Sequence, residues 1–137
     1  MNGRHWARLL IGRPWQADAD GPAAFSCWGL VRYVFRVQHS IEFPAVAVGD
    51  GQDVDPGNVR AIKQSVRAAG LRPIGSATPV EGDIVLMRSR VRLHCGLAVR
   101  ANGALGVLHS THEAGVIWQP WREAVAGMHH ELWRQSA

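Results

Sequence analysis

Near Leu71 the hydrophobic period of this chain changes from that of a helix to that of a strand. Before it, apolar residues recur at i, i+3 and i+4; after it, they come in short runs broken by turn residues. A chain of 137 residues fits one compact domain, here taken as residues 1–137. Helices first and strands afterwards predict an α+β fold, with helices packed on an antiparallel sheet.

In the first half, residues 5–11 read as a short helix with Trp6, Leu9 and Leu10 on one face, ended by Gly12, Arg13 and Pro14. A loop rich in Asp, Ala, Gly and Pro follows over residues 16–24. Residues 26–38 form the central helix. Ser26 is its expected N-cap, since a hydroxyl there accepts from a free N–H of the first turn. Leu30, Val31, Val34 and Phe35 supply its buried face. Asp55-Pro56 opens a third helix, because Pro lacks an N–H that the first helical position would leave unbonded anyway. That helix reaches about Ala69 and stops at Gly70.

In the second half, strands are expected at 83–87, 94–100, 106–110 and 115–119. Pro120-Trp121 then opens a short helix, and residues 130–134 form a last strand. Asn102-Gly103 is the strongest hairpin signal, since both residues tolerate the positive φ a two-residue turn demands.

Composition narrows the function. Hydrophobic residues make up 47% and charged ones 19%, which excludes a disordered chain. The formal net charge is +4, carried by Arg, since Lys63 is the sole lysine. Such a charge favours an anionic partner such as nucleic acid, a membrane surface or an acidic cell-wall polymer, or else is a solvated surface. No stretch approaches the roughly 18 apolar residues of a transmembrane helix. Leu9-Leu10 is too short for a signal-peptide core. The expectation is synthesis in the cytoplasm without a signal peptide. Two cysteines, Cys27 and Cys95, build no disulfide framework; a single bond between them is the alternative to a free Cys27 thiol, which its sequence context favours.

Cys27 falls in the first turn of the central helix, where the positive end of the helix dipole favours a thiolate. Gly29 is costly inside a helix and makes sense if something approaches the helix start closely. His94 opens a strand and is the candidate base. His109 lies on the partner strand of the Asn102-Gly103 hairpin, placed to accept the His94 N–H and hold its tautomer. A zinc set of Cys27, His94, Cys95 and His109 is disfavoured: no ligand-pair spacing is present, and His94 and Cys95 alternate in a strand. No metal or cofactor is expected. The six tryptophans read mainly as core, with one or two of them lining a substrate groove.

Residues 10–15 (Leu-Ile-Gly-Arg-Pro-Trp) and 25–32 (Phe-Ser-Cys-Trp-Gly-Leu-Val-Arg) resemble the NlpC-type cell-wall cysteine peptidases, most closely those of phage and prophage tails. Residues 79–86, with Pro79, Gly82 and Asp83, resemble the family's Pro-x-x-Gly-Asp strand. Residues 94–99 resemble its catalytic-His strand, and residues 107–110 the strand of its third polar residue. The resemblance implies a papain-like fold and an endopeptidase acting on peptidoglycan stem peptides. Cys27 carries over as nucleophile, His94 as base and His109 as orienter. Implied partners are the peptidoglycan peptide and other phage tail proteins, with no nucleic acid and no membrane. Ser26 stands where the family usually has Asp, and Trp15 where it often has a Tyr that helps hold the oxyanion; with Trp28 these are the candidates the resemblance implies for contact with substrate or the oxyanion. These two departures motivate a second reading, a tail-tip structural module that only binds in its groove. A third is an amidase or acyltransferase acting on another substrate.

Overall fold

The computed structural model describes residues 3–46, 56–75, 78–89 and 93–135. Three helices come first: α1 (Gly3–Leu10), α2 (Cys27–His39) and α3 (Pro56–Ala68). Among the described residues, six strands follow: β1 (Leu71–Pro73), β2 (Ile84–Arg88), β3 (Leu93–Ala101), β4 (Ala104–Thr111), β5 (Gly115–Pro120) and β6 (His129–Gln135). A short α4 (Trp121–Val125) lies between β5 and β6. The strands form one sheet in the order β1-β6-β2-β3-β4-β5, and each named pairing is antiparallel. This is the α+β architecture expected from the change of period.

Alternation along the strands feeds two apolar layers. Cys95, Leu97 and Val99 of β3 face the helices and join Leu30, Val31 and Val34 of α2. Ala98 of β3, Val107 of β4, and Val85 and Met87 of β2 face the other way, against Ala124 of α4. The β3–β4 turn is the expected two-residue one: Ala101 pairs with Ala104, and Asn102 and Gly103 both have positive φ, 53° and 79°.

Two local expectations are corrected. Leu9 is 72% exposed; the inward residues of α1 are Ala7 and Leu10, with Trp6 packed beside them. Residues Leu71–Pro73 form an edge strand on β6 that no alternation announced, being only three residues long. Asp55, the proposed start of α3, lies outside the described residues, and Pro56 is the first helical residue.

The Gly82-Asp83 stretch ties β2 to β6. The buried Asp83 carboxylate accepts two hydrogen bonds from Arg134, Nε at 2.7 Å and Nη2 at 2.8 Å, and a third from the Val80 N–H. A charge taken out of water needs this many partners.

The feature that positions the site is the end of the β3–β4 ladder. Residue pairs between β3 and β4 end at Leu97–Leu108. Beyond that point β3 continues along β2 to Leu93, and β4 continues along β5 to Thr111. The lead-in to α2 is anchored beside this end of β4, where Ser110 Oγ donates to the Phe25 carbonyl at 2.7 Å.

Candidate active site

Ser26 caps α2 as its sequence position suggests. It is extended (φ −80°, ψ 172°), and its hydroxyl oxygen accepts from the Gly29 N–H at 3.0 Å. The loop before the helix folds back over the same end. Ala19 O accepts from Ser26 N at 2.8 Å, and Asp20 is held by Arg32 and Arg36 of α2 at 3.4 and 3.3 Å. A Cβ on Gly29 would sit 1.8 Å from Ala19 O. The close approach inferred from Gly29 is therefore real, and the chain's own loop makes it.

Cys27 is the first residue of α2 and is nearly buried. Its thiol interacts electrostatically with both the His94 ring and the Cys95 thiol. His94 and Cys95 are neighbours in β3, and both act on Cys27 at the start of α2. The hydrogen bond from Cys95 does most to hold the Cys27 thiol well below the ordinary thiol range. Burial opposes it, and the hydrogen bond and charge of His94 assist. Cys95 moves the other way: burial pushes its thiol well up, and the Cys27 sulfur, as acceptor and as charge, pushes it further.

His94 and His109 meet across the open end of the hairpin, with His94 Nε2 2.6 Å from His109 Nδ1 and the rings edge-on. Gly96 permits this. A Cβ there would lie 2.7 Å from Leu108 O and 2.9 Å from His109 Cβ, so any larger residue would push β4 away. His109 is itself buried, and its second nitrogen, Nε2, lies 2.7 Å from Gln119 Oε1 on β5. Burial lowers its pKa to about 4, the charge of His94 adds to this, and the Gln119 hydrogen bond opposes it. His109 is therefore neutral at neutral pH. The result is a continuous line of interactions, Cys27 to His94 to His109 to Gln119. It can carry a proton between a sulfur nucleophile and an oriented imidazole.

The remaining candidates separate. Trp28 does not face a substrate: it is fully buried, stacks on Phe43 at 5.3 Å, and donates its indole N–H to Pro44 O at 2.9 Å. A large aromatic in the first turn points into the core because α2 needs it there. The Ser26 hydroxyl is committed to the Gly29 N–H and to Ala19 O. Trp15 lies close by. Phe25 N donates to Pro14 O at 3.0 Å and Gln16 N to Phe25 O at 3.3 Å, which laces this segment to the lead-in of α2. The Trp15 ring is half-buried and packs edge-on against His112 at 4.7 Å. Among the described residues no group of three or more His, Cys, Asp or Glu could hold a metal ion. No helix there is long and apolar enough to cross a membrane.

Gln119 was not expected in the site. Its signal was nevertheless present: the strand predicted over 115–119, paired with the one over 106–110, puts alternate residues beside His109. The loop at Ala19 had no comparable signal, because only the fold brings it to α2.

With this geometry in view, the chain was compared with known proteins. The profile of the NlpC/P60 family matches residues 12–136. Among solved structures, the crystal structure of the NlpC/p60 domain of peptidoglycan hydrolase SagA is similar, with a TM-score of 0.61 and 16% identity. The match covers 96% of this chain and 95% of that one. No curated protein matches the chain.

Proposed function

The chain belongs to the NlpC/P60 family, and from that premise we propose that it is a cysteine peptidase that hydrolyses the stem peptides of peptidoglycan. One observation carries the reading: the Cys27 sulfur sits at a helix start against His94, whose far nitrogen is held by His109. A thiolate there is favoured by its hydrogen bonds and by the helix dipole. The SagA domain, described as part of a peptidoglycan hydrolase, supports the choice of substrate through its shared fold.

The chemistry is acyl transfer. The Cys27 thiolate attacks a peptide carbonyl, forming the C–S bond and placing negative charge on oxygen. The Cys27 backbone N–H, which has no acceptor within its own helix, faces that charge, and the Trp15 indole N–H is the proposed second donor. Each such donor is worth about 3 kcal/mol. The His94 imidazolium gives its proton to the leaving amine as the C–N bond breaks. It then takes a proton from water, which attacks the thioester and returns Cys27 as thiolate and His94 as imidazolium.

The setting we propose is the tail of a phage or prophage, acting at the cell wall. It rests on the likeness of residues 10–15 and 25–32 to tail peptidases. The test is digestion of purified sacculi by the wild type and by Cys27→Ala, followed by mass spectrometry of the muropeptides. New peptide ends made by the wild type alone are expected. Cleavage by Cys27→Ala would overturn the mechanism. Unaltered muropeptides with a reactive Cys27 would redirect it to another amide or ester. Mass spectrometry of purified tail particles tests the setting, and absence of the chain there would remove it.

A further inference from the structure

Gln119 stands behind the two histidines, and the direction of its hydrogen bond has consequences for Cys27. On β4 and β5 the cross-strand pairs are His109–Ile117 and Val107–Gln119, so Gln119 is diagonal to His109 on one face. Its Oε1 lies 2.7 Å from His109 Nε2. An amide oxygen only accepts, so His109 Nε2 carries the proton. A neutral imidazole has one N–H, which leaves a lone pair on His109 Nδ1. His94 Nε2, 2.6 Å away, must then donate to it. The nitrogen of His94 left free to exchange a proton with Cys27 is Nδ1.

The direction matters because of what His94 must become. An imidazolium has no lone pair, so both its nitrogens donate. His94 can take the Cys27 proton and keep its bond to His109 only if His109 is the acceptor. With the chain reversed, His109 Nδ1–H would face the His94 Nε2–H of the cation, and the bond would be lost as charge appeared. An acceptor beyond His109 is therefore what the base needs, and a neutral one does not draw a second proton onto His109.

We propose that Gln119 is a positioning residue of the site, fixing the tautomer of His109 and through it the nitrogen with which His94 serves Cys27. This rests on the reading of Cys27 and His94 as nucleophile and base. The β5 strand becomes part of the machinery, although it carries no group that touches substrate.

The experiment compares the wild type with Gln119→Met, which keeps the length and removes the acceptor, and Gln119→Glu, which keeps an acceptor. Two readouts need no substrate: the pH dependence of Cys27 alkylation by iodoacetamide, and the His109 tautomer from imidazole ¹⁵N shifts. Gln119→Met should lose the preference for the Nε2–H form and alkylate about tenfold more slowly near neutral pH, the usual range for a supporting partner. Gln119→Glu should keep the tautomer and match the wild type at pH 8, with its acid limb moved to higher pH because a carboxylate favours His109 protonation. A Gln119→Met protein with wild-type tautomer and rate overturns the proposal, and so does a Gln119→Glu protein as impaired at pH 8 as Gln119→Met. A wild-type Cys27 no more reactive than a free thiol would instead count against the base reading, and the tautomer shifts would then decide the role of Gln119.

Discussion

The thiols of Cys27 and Cys95 interact, and the interaction drives their acidities apart. Cys95 donates to Cys27, so the charge of the pair collects on Cys27, and burial keeps the Cys95 proton in place. Iodoacetamide should therefore label Cys27 near neutral pH long before Cys95, with a rate difference of about tenfold or more. Peptide mapping after timed quenching reads both sites at once. Equal, slow labelling would mean that the interaction does not ionise Cys27. Cys95→Ser keeps a hydroxyl donor and should largely preserve the reactivity of Cys27, whereas Cys95→Val removes the donor and should slow it.

In the proposed mechanism His109 contributes through its lone pair, so its removal should act on turnover more than on binding. His109→Ala is expected to lower kcat by about 10²-fold, within the range of a positioned acid–base partner, with KM nearly unchanged. Steady-state kinetics on purified muropeptides check this. A loss confined to KM would place His109 in substrate binding.

How much of this arrangement was visible in the sequence follows from the range of the interactions. Ser26, Cys27 and the helix after them are local features, and the cap and the apolar spacing announced them. Asn102-Gly103 set the β3–β4 register, and so the meeting of His94 with His109. The side that Trp28 faces is not written in its neighbourhood; the packing of α2 on Phe43 decides it. Ala19 comes from the loop just before α2, and Gln119 from the second strand beyond His94. Their roles arise only from tertiary contact, although Gly29 marked one of the places.

Burial of His109 makes stability depend on pH. Its folded pKa is about 4 against an ordinary 6.5. The folded state therefore binds fewer protons than the unfolded state between those values. The contribution is fully present above pH 6.5 and is lost as pH falls toward 4. It amounts to about 3 kcal/mol, at 1.36 kcal/mol per pKa unit. Urea unfolding at pH 7 and pH 4.5 should show this loss for the wild type in excess of that for His109→Gln. Parallel losses in both would assign the acid sensitivity to other groups.

Gly96 separates stability from catalysis. It is the residue of β3 beside which His109 closes on His94, and a methyl group there meets Leu108 O at 2.7 Å, Val107 Cγ1 at 2.8 Å and His109 Cβ at 2.9 Å. Two of these neighbours belong to backbone or Cβ and cannot rotate away, so β4 must shift. Overpacking of this kind costs about 1–3 kcal/mol, and the shift falls on the His94–His109 bond. Gly96→Ala should therefore lower kcat by about tenfold or more, since the geometry of an acid–base pair is felt steeply, while most of the protein stays folded. Gly103→Ala, at the far end of the same hairpin, is the control. It is strained by its φ of 79° and meets nothing within 4 Å, so it should lower stability and leave kcat intact. Thermal unfolding and muropeptide turnover of the two variants give the comparison. If Gly96→Ala matched Gly103→Ala in kcat, the close packing at Gly96 would have no part in setting the base.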